Sequence, residues 1–395
     1  MKAYITLLAS LYVFGLAVRA NEFLTAKAEV EYLSKRALVN SLAQLAKEPA
    51  TDGSNEEQCT LDKLRFRRDW KTFSTEEKKE YINAVLCIQS KPGLTPPELA
   101  PGVRSRFDDF VANHINLTYF IHFTGTFLGW HRRYIWAFEE TLREECGYTG
   151  ALPYWNWPDS YDDLTKDPIF DGSDTSLSGN GEYIPNKGDI VLHVDNPPAI
   201  ILPPGSGGGC VTSGPFKDYQ VNLGPGSLSL PGNKTDSREN PLDYNPRCLK
   251  RDLTTEVIRM FANYSSVAHL ISKNDHIWNF QTEMQGPQGS TSLGVHGGGH
   301  YAIGGDPGRD FMVSPGDPAF YLHHSMIDRV WWIWQNQDPE NRETAISGTN
   351  TLHNNPPSEN TTLDTLVDLG YAWGKPVPMR DIMSTVKGSL CYVYL

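Results

Sequence analysis

Seven of the eleven histidines fall in two groups whose spacing is typical of metal ligands. The first group is His114, His122 and His131, and the second is His296, His300, His323 and His324. His114, His131 and His324 each lie on the apolar stripe of a predicted helix, and burying three unpaired imidazoles independently would be costly. A shared metal ion that takes the ring lone pairs is the cheaper explanation. His296 and His300, four residues apart, would share one helical face, as metal-ligand pairs do.

The residues around these histidines restrict the choice of metal. The chain has no HExxH motif, which argues against a zinc hydrolase of that type. A non-haem iron site would need a carboxylate ligand and a blue-copper site a cysteine, and neither lies at ligand spacing here. Two all-imidazole sites favour a pair of copper ions that cycle between Cu(I) and Cu(II) and keep an open position for dioxygen. A secreted zinc protein that uses the same histidines is the alternative.

Long motifs around the two groups resemble the copper signatures of tyrosinases and catechol oxidases. The first signature reads FLGWHRRY at 127–134, with PYWNW at 153–157 after it. The second reads DPAFYLHH at 317–324, with IDRVW at 327–331 after it. Over residues 55–395 the chain is similar to a short, secreted fungal polyphenol oxidase of the type 3 copper family.

The resemblance implies a ligand set for two copper ions. His114, His122 and His131 would bind the first copper, and His296, His300 and His324 the second. His323 is rotated by about 100° from His324 on a helix, which makes it a neighbour rather than a ligand. Phe320 would pack on the site, and Asp328 would anchor the helix or orient a ligand. The remaining histidines, His193, His269, His276 and His353, match no motif.

Two departures from the family pattern bear on chemistry. Many fungal relatives have a cysteine, bonded to a histidine, two residues before the second ligand, where this chain has Phe120. Many relatives also have an asparagine directly after the first ligand of the second copper, which with a nearby glutamate holds a water. Gly297 occupies that position here, between His296 and two further glycines. The alternative is that Gly297 occupies a position where packing demands a small residue.

Further pocket residues follow from the same resemblance. Phe311 stands where the family has its gate residue over the second copper, and Tyr301 is expected at the entrance. Glu283 or Gln285 could position a water, and the sequence does not choose between them. These features imply oxidation of o-diphenols to o-quinones with O2 and weaker hydroxylation of monophenols. The alternatives are a true tyrosinase with strong monophenol hydroxylation and a haemocyanin-like oxygen carrier.

The N-terminus and the cysteines predict a secreted protein. Residues 1–20 combine Lys2, an apolar stretch and small residues before a cleavage site, as a signal peptide does. Six cysteines in an oxidising compartment predict three disulfides, which we expect to be Cys59–Cys391, Cys87–Cys146 and Cys210–Cys248. Glycosylation sequons begin at Asn116, Asn233, Asn263 and Asn360. No membrane association is expected after cleavage.

The periodicity of apolar residues predicts a mainly helical protein. The chain has 395 residues and a formal net charge of −12, which argues against a nucleic-acid partner. We expect residues 21–395 to form a single catalytic domain without a C-terminal plug domain. Its fold would be a central antiparallel helical bundle that holds the copper pair, with long irregular loops and a few short strands. Helices are predicted over 74–90, 103–122, 129–145, 254–272 and 318–336, and loops over 165–250.

Overall fold

The computed structural model describes residues 2–47, 58–192 and 198–395, with side chains from residue 21 onward. The predicted signal peptide, residues 1–20, and His193 therefore lie outside the side chains that are described. The α-helices of this part of the chain are α1 (Lys2–Leu45), α2 (Thr75–Ser90), α3 (Arg106–Ile121), α4 (Phe127–Cys146), α5 (Thr255–Phe261), α6 (Tyr264–Lys273), α7 (Ile277–Gln285), α8 (Gly294–Ile303), α9 (Ala319–Gln335) and α10 (Pro339–Arg342). None of the described helices combines the length and the apolar character needed to cross a bilayer.

The strands are two to four residues long and pair only in twos. They are β1 (Arg65–Arg67), β2 (Gly181–Tyr183), β3 (Ile190–Leu192), β4 (Ile200–Leu202), β5 (Gly208–Val211), β6 (Gln220–Val221), β7 (Leu228–Leu230), β8 (Lys234–Asp236), β9 (Arg247–Cys248), β10 (Leu366–Val367), β11 (Val377–Pro378) and β12 (Tyr392–Tyr394). The mainly α prediction is thus confirmed, and eight of the short strands lie in the segment predicted as loops.

Capping residues set the limits of the predicted helices. Ser74 caps α2 and exchanges hydrogen bonds with Glu77, three residues later, in a capping box. Helix α4 ends at Gly147, whose φ of 71° is the left-handed conformation that favours glycine. Helix α9 begins at Ala319, one residue later than predicted, but the Asp317 carboxylate still accepts from the Ala319 backbone N–H at 2.9 Å.

The single helix predicted over 254–272 is wrong, because the chain forms α5 and α6 there. The break occurs at Ala262, with φ −121° and ψ 38°, and Asn263 starts the second helix by accepting a hydrogen bond from the Ser266 N–H. Helices α1, α7 and α10 were not predicted. The described part of α1 packs on α6 and α9 through Ala26, Val30 and Ala37.

The core lies between the helices of the central bundle, where α4 packs against α3 and α9, and α8 packs against α9. The predicted disulfides Cys59–Cys391, Cys87–Cys146 and Cys210–Cys248 are all confirmed. The first joins residues 332 positions apart. It lies beside the parallel pairing of β1 with β12, in which Arg65 is opposite Tyr392.

A buried carboxylate connects this strand pair to the bundle. Asp328 on α9 accepts from Arg132 Nε on α4 at 2.6 Å and from the hydroxyls of Tyr392 and Tyr394 at 2.6 and 2.7 Å. Arg67 on β1 lies 3.5 Å from the same carboxylate. Asp328 therefore joins four separate elements through one charge.

We expect Asp328→Asn to lower the free energy of unfolding by about 3–5 kcal/mol, because it leaves the buried Arg132 guanidinium without its counter-charge. The matched control is Asp275→Asn, since Asp275 is 82% exposed in its ion pair with Arg342. That change should cost about 0–1 kcal/mol. Urea unfolding of both variants measures the difference, and equal losses would contradict the anchoring role.

Candidate metal centre

Four helices bring the predicted histidines into one buried region. Helix α3 carries His114 and ends at His122, α4 carries His131, α8 carries His296 and His300, and α9 carries His324. The ligand nitrogens of the first group lie within 4.8 Å of one another, and so do those of the second. All of these side chains are buried except that of His300, which is half-buried.

Backbone carbonyls fix the tautomers of several rings. Nδ1 of His114 donates to Met312 O at 2.8 Å, and Nδ1 of His131 donates to Phe127 O at 2.8 Å. His122 and His300 donate likewise to the carbonyls of Thr118 and Gly308. A carbonyl oxygen can only accept, so Nδ1 carries the proton and Nε2 keeps its lone pair. Nε2 of His114 and Nε2 of His131 are buried without any hydrogen-bond partner.

The second group presents lone pairs in the same way. Nε2 of His300 lies 3.2 Å from Nε2 of His324, and Nε2 of His296 is buried without a partner. The ring centroids of His296, His300 and His324 are 4.8 to 5.3 Å apart. Their nitrogens therefore converge, although no carboxylate or cysteine belongs to either group among the described residues.

His323 lies beside this group but its ring is already used. Trp157 Nε1 donates a hydrogen bond to Nδ1 of His323 at 3.0 Å. An indole N–H can only donate, so Nδ1 is the acceptor and the ring proton lies on Nε2. Neither nitrogen then has a lone pair to offer a metal. The prediction that His323 is a neighbour rather than a ligand agrees with this hydrogen bond.

The two groups adjoin each other. The rings of His131 and His324 stack with centroids 4.5 Å apart, and those of His122 and His296 are 5.8 Å apart. Phe320 stacks on His324 at 4.1 Å, as predicted. The arrangement is therefore one double site rather than two separate sites.

Glycines allow α8 to approach its neighbours. A Cβ at Gly299 would lie 2.2 Å from the His323 ring, and one at Gly298 would lie 2.8 Å from Phe261 Cβ. A Cβ at Gly297 would meet only Leu293, at 3.0 Å. The first two positions thus require glycine for packing, whereas Gly297 borders a cavity.

This cavity of 320 Å³ opens onto both histidine groups. The predicted pocket residues that line it are Gln285, Gly297, Tyr301 and Phe311. The Tyr301 hydroxyl lies 3.0 Å from Ser229 Oγ on β7, which connects α8 to the β7–β8 hairpin. Phe120, by contrast, is 49% exposed and does not line the cavity.

Phe311 lines the cavity together with His296 and His300 of the second group, and its ring is 4.7 Å from that of His122, in the first group. Its place over the second copper stays a prediction. Asp310 fixes this segment, because its carboxylate accepts from the backbone N–H groups of Met312 and Val313 and of Gly226 and Ser227. These bonds hold the segment against α3, where Met312 O receives His114.

Glu283 does not face the cavity. Its carboxylate accepts from Asn274 Nδ2 at 2.7 Å and lies 3.6 Å from His269, on the other side of α7. Gln285 does line the cavity, but its Oε1 accepts from the Phe123 N–H at 2.7 Å and its Nε2 donates to Gln281 O. The choice that the sequence left open is therefore decided in favour of Gln285 as the lining residue.

Comparison with known proteins identifies the family. Residues 104–337, more than half of the chain, match the common central domain of tyrosinase. This chain belongs to the tyrosinase family. Tyrosinase P of Aspergillus terreus is 42% identical over 334 residues, which cover 84% of this chain and 92% of that protein.

Other members extend the likeness over nearly the whole chain. N-acetyl-6-hydroxytryptophan oxidase ivoB of Emericella nidulans is 40% identical over 371 residues, covering 90% of this chain and 99% of that protein. The solved structure of a polyphenol oxidase from Thermothelomyces thermophila is 42% identical, with a TM-score of 0.86, and covers 93% of this chain and 98% of that one.

A binuclear copper site is implied by membership of the tyrosinase family, and the described side chains fit one. Neutral imidazoles suit copper, and the buried nitrogens without partners are the lone pairs that a metal would take. A cation would also satisfy the two nitrogens of His300 and His324 that face each other at 3.2 Å. The copper prediction is confirmed at this level.

The backbone carbonyls that orient the histidine rings were not predicted from the sequence. Thr118, Phe127, Gly308 and Met312 act through their carbonyls, so their side chains give no signal. Two of them could have been found by spacing, because Thr118 and Phe127 lie four residues before His122 and His131. The Trp157 contact with His323 has no comparable signal, since it joins residues 166 positions apart.

Burial keeps these imidazoles neutral in the tyrosinase fold. It lowers the pKa of His122 to about 4 and that of His300 to about 3, and it lowers the pKa of His114, His131 and His324 well below the ordinary value. The folded chain thus resists proton uptake that the unfolded chain accepts below about pH 6.5. The free energy of unfolding is therefore highest above about pH 6.5. It decreases as the pH falls toward the folded-state pKa values of His122 and His300, about 4 and about 3.

For copper-free protein we therefore expect the melting temperature to fall between pH 6.5 and 4.5. His122→Asn should make this fall shallower by removing one depressed pKa, whereas His276→Asn, at an exposed position, should not. Thermal unfolding in the presence of a chelator gives both slopes. A slope unaffected by His122→Asn would show that the ring is not protonated with unfolding.

Proposed function

We propose that this protein is a secreted oxidase that converts o-diphenols to o-quinones and hydroxylates monophenols more weakly. In this proposal His114, His122 and His131 bind the first copper, and His296, His300 and His324 bind the second. Two o-diphenols and one O2 give two o-quinones and two water molecules. The copper pair supplies the two-electron redox chemistry of this reaction.

The observation that carries the proposal is a cavity that reaches three of the neutral imidazoles, those of His122, His296 and His300, and has no available base. Asp310 is the only carboxylate that lines it among the described residues. Both of its oxygens accept backbone N–H groups, and the Gln285 amide is likewise engaged. Monophenol hydroxylation requires removal of the phenolic proton, and this chain's own residues offer no free group for that step.

Aromatic and small residues shape the cavity for a flat ring. Phe311 and Phe123 line it next to His122, and Gly297 leaves space beside His296. The name of the relative N-acetyl-6-hydroxytryptophan oxidase supports a hydroxylated aromatic substrate. Secretion is supported by the signal-like residues 1–20 and by the three disulfides, which persist in oxidising compartments.

The ligand assignment predicts that His131→Ala abolishes quinone formation and removes about one copper ion per chain, because three ligands leave none to spare. The same result is expected for His324→Ala. His276→Ala is the control and should change neither quantity. Metal analysis together with oxygen uptake on 4-methylcatechol checks the prediction, and full activity of either ligand variant would remove that residue from the assignment.

The proposal predicts that the unmutated enzyme oxidises diphenols clearly faster than it hydroxylates monophenols. Gly297→Asn should raise the monophenol rate relative to the diphenol rate by adding an amide that can hold a water. Gly297→Ala is the matched control, because it adds the same Cβ beside Leu293 without the amide. Oxygen uptake on 4-methylphenol and 4-methylcatechol gives the ratio. Equal rates for the unmutated enzyme would contradict this part of the proposal.

A further inference from the structure

Two cationic side chains line the cavity on a chain whose formal net charge is −12. They are Arg309, in the segment after α8, and Lys234, at the start of β8. We call this pair the cationic rim. A concentration of positive charge at a cavity of an acidic protein has to come from these local residues, because the rest of the chain opposes it.

Arg309 is held in place but is only partly neutralised. Its Nε donates to Ser229 O at 2.8 Å, and its Nη1 lies 3.5 Å from Asp252 Oδ2. The other oxygen of Asp252 is bound more closely by Lys187 Nζ, at 2.5 Å. Two buried cations therefore share one carboxylate.

The described lining has two cations and one carboxylate, Asp310. Lys234 is exposed and forms no ion pair within the described residues. The Asp310 oxygens accept from four backbone N–H groups, and the carboxylate pairs with neither cation of the rim. Much of the remaining surface is apolar and includes Val191, Leu192, Ile200, Leu293 and Phe311.

A short chain of contacts connects the rim to the histidines. His300 is followed by Tyr301, whose hydroxyl lies 3.0 Å from Ser229 Oγ, and the carbonyl of Ser229 accepts from Arg309. The cavity volume of 320 Å³ exceeds what a single benzene ring fills and is in the range of small-molecule sites. A ring at the histidines thus leaves room for a side chain that extends toward the rim.

We propose that the cationic rim selects phenolic substrates that carry a carboxylate on a short side chain opposite the hydroxyl groups. Arg309 is the principal contact, because its planar guanidinium matches a carboxylate and its position is fixed by Ser229. Lys234 adds attraction from the hairpin. This inference rests on the proposed function, and it names the class of diphenol that the oxidase prefers.

The test compares two substrates of nearly the same shape with the copper-loaded enzyme. They are 3-(3,4-dihydroxyphenyl)propanoate and its amide, with uncharged 4-methylcatechol as the reference. We expect kcat/KM to favour the acid by about tenfold at low ionic strength, mainly through KM, and the preference to shrink as salt screens the charges. Equal kcat/KM for acid and amide, with 4-methylcatechol still oxidised, overturns the inference alone. No quinone from any of the three overturns the proposed function.

Variants assign the preference to residues. Arg309→Gln should abolish the acid-to-amide ratio, and Arg309→Lys should restore part of it. Lys375→Gln, which removes an exposed charge that does not line the cavity, should leave the ratio unchanged. Lys234 is exposed on β8, so Lys234→Gln is expected to fold. It should lower the acid-to-amide ratio, and it provides the test if Arg309→Gln does not fold. A ratio unchanged in Lys234→Gln and in every folded Arg309 variant overturns the inference.

Discussion

Burying six neutral imidazoles so that their lone pairs face one space is the constraint on which the rest of this structure depends. Each ring that donates to a carbonyl is fixed in one tautomer and one orientation. The donation also provides a partner for the nitrogen that faces away from the metal. These carbonyls belong to α3, to α4 and to residues 308 and 312, so the backbone positions there determine how the rings are oriented. The fold therefore has to hold backbone as accurately as side chains.

The neighbouring structure meets this demand in two ways. Glycines at 298 and 299 bring α8 against Phe261 and His323, so that the helix with His296 and His300 packs closely on α9. On the far side of the bundle, Asp328 binds groups from α4, β1 and β12. A buried charge of this kind tolerates little displacement, since each guanidinium near it loses stabilisation when the geometry opens.

The sequence predicted which histidines converge, the contact of Phe320 with His324, the disulfides and most helix limits, because these depend on residue type and local spacing. It did not predict the contact of Phe311 with His122, because the position of Phe311 depends on Asp310 and on backbone N–H groups more than eighty residues away. It left Glu283 and Gln285 open, because only the packing of α7 shows which of them faces the cavity. The break at Ala262 was missed because the apolar periodicity continues across it. The cationic rim was also missed, since it depends on the sharing of Asp252 between Lys187 and Arg309.

The pairing of β1 with β12 affects the order in which parts of the chain can fold. Tyr392 and Tyr394 leave the ribosome after every helix of the bundle, yet they supply two of the hydroxyls that Asp328 accepts. Until they are present, Arg67 lacks its hydrogen bond to the Tyr394 hydroxyl, and Asp328, the partner of Arg132, lacks two of its donors. Contacts of such long sequence separation form late, because closing the intervening chain is entropically costly. The helices that carry the histidines can therefore assemble before the pairing of β1 with β12 and the adjacent Cys59–Cys391 disulfide form.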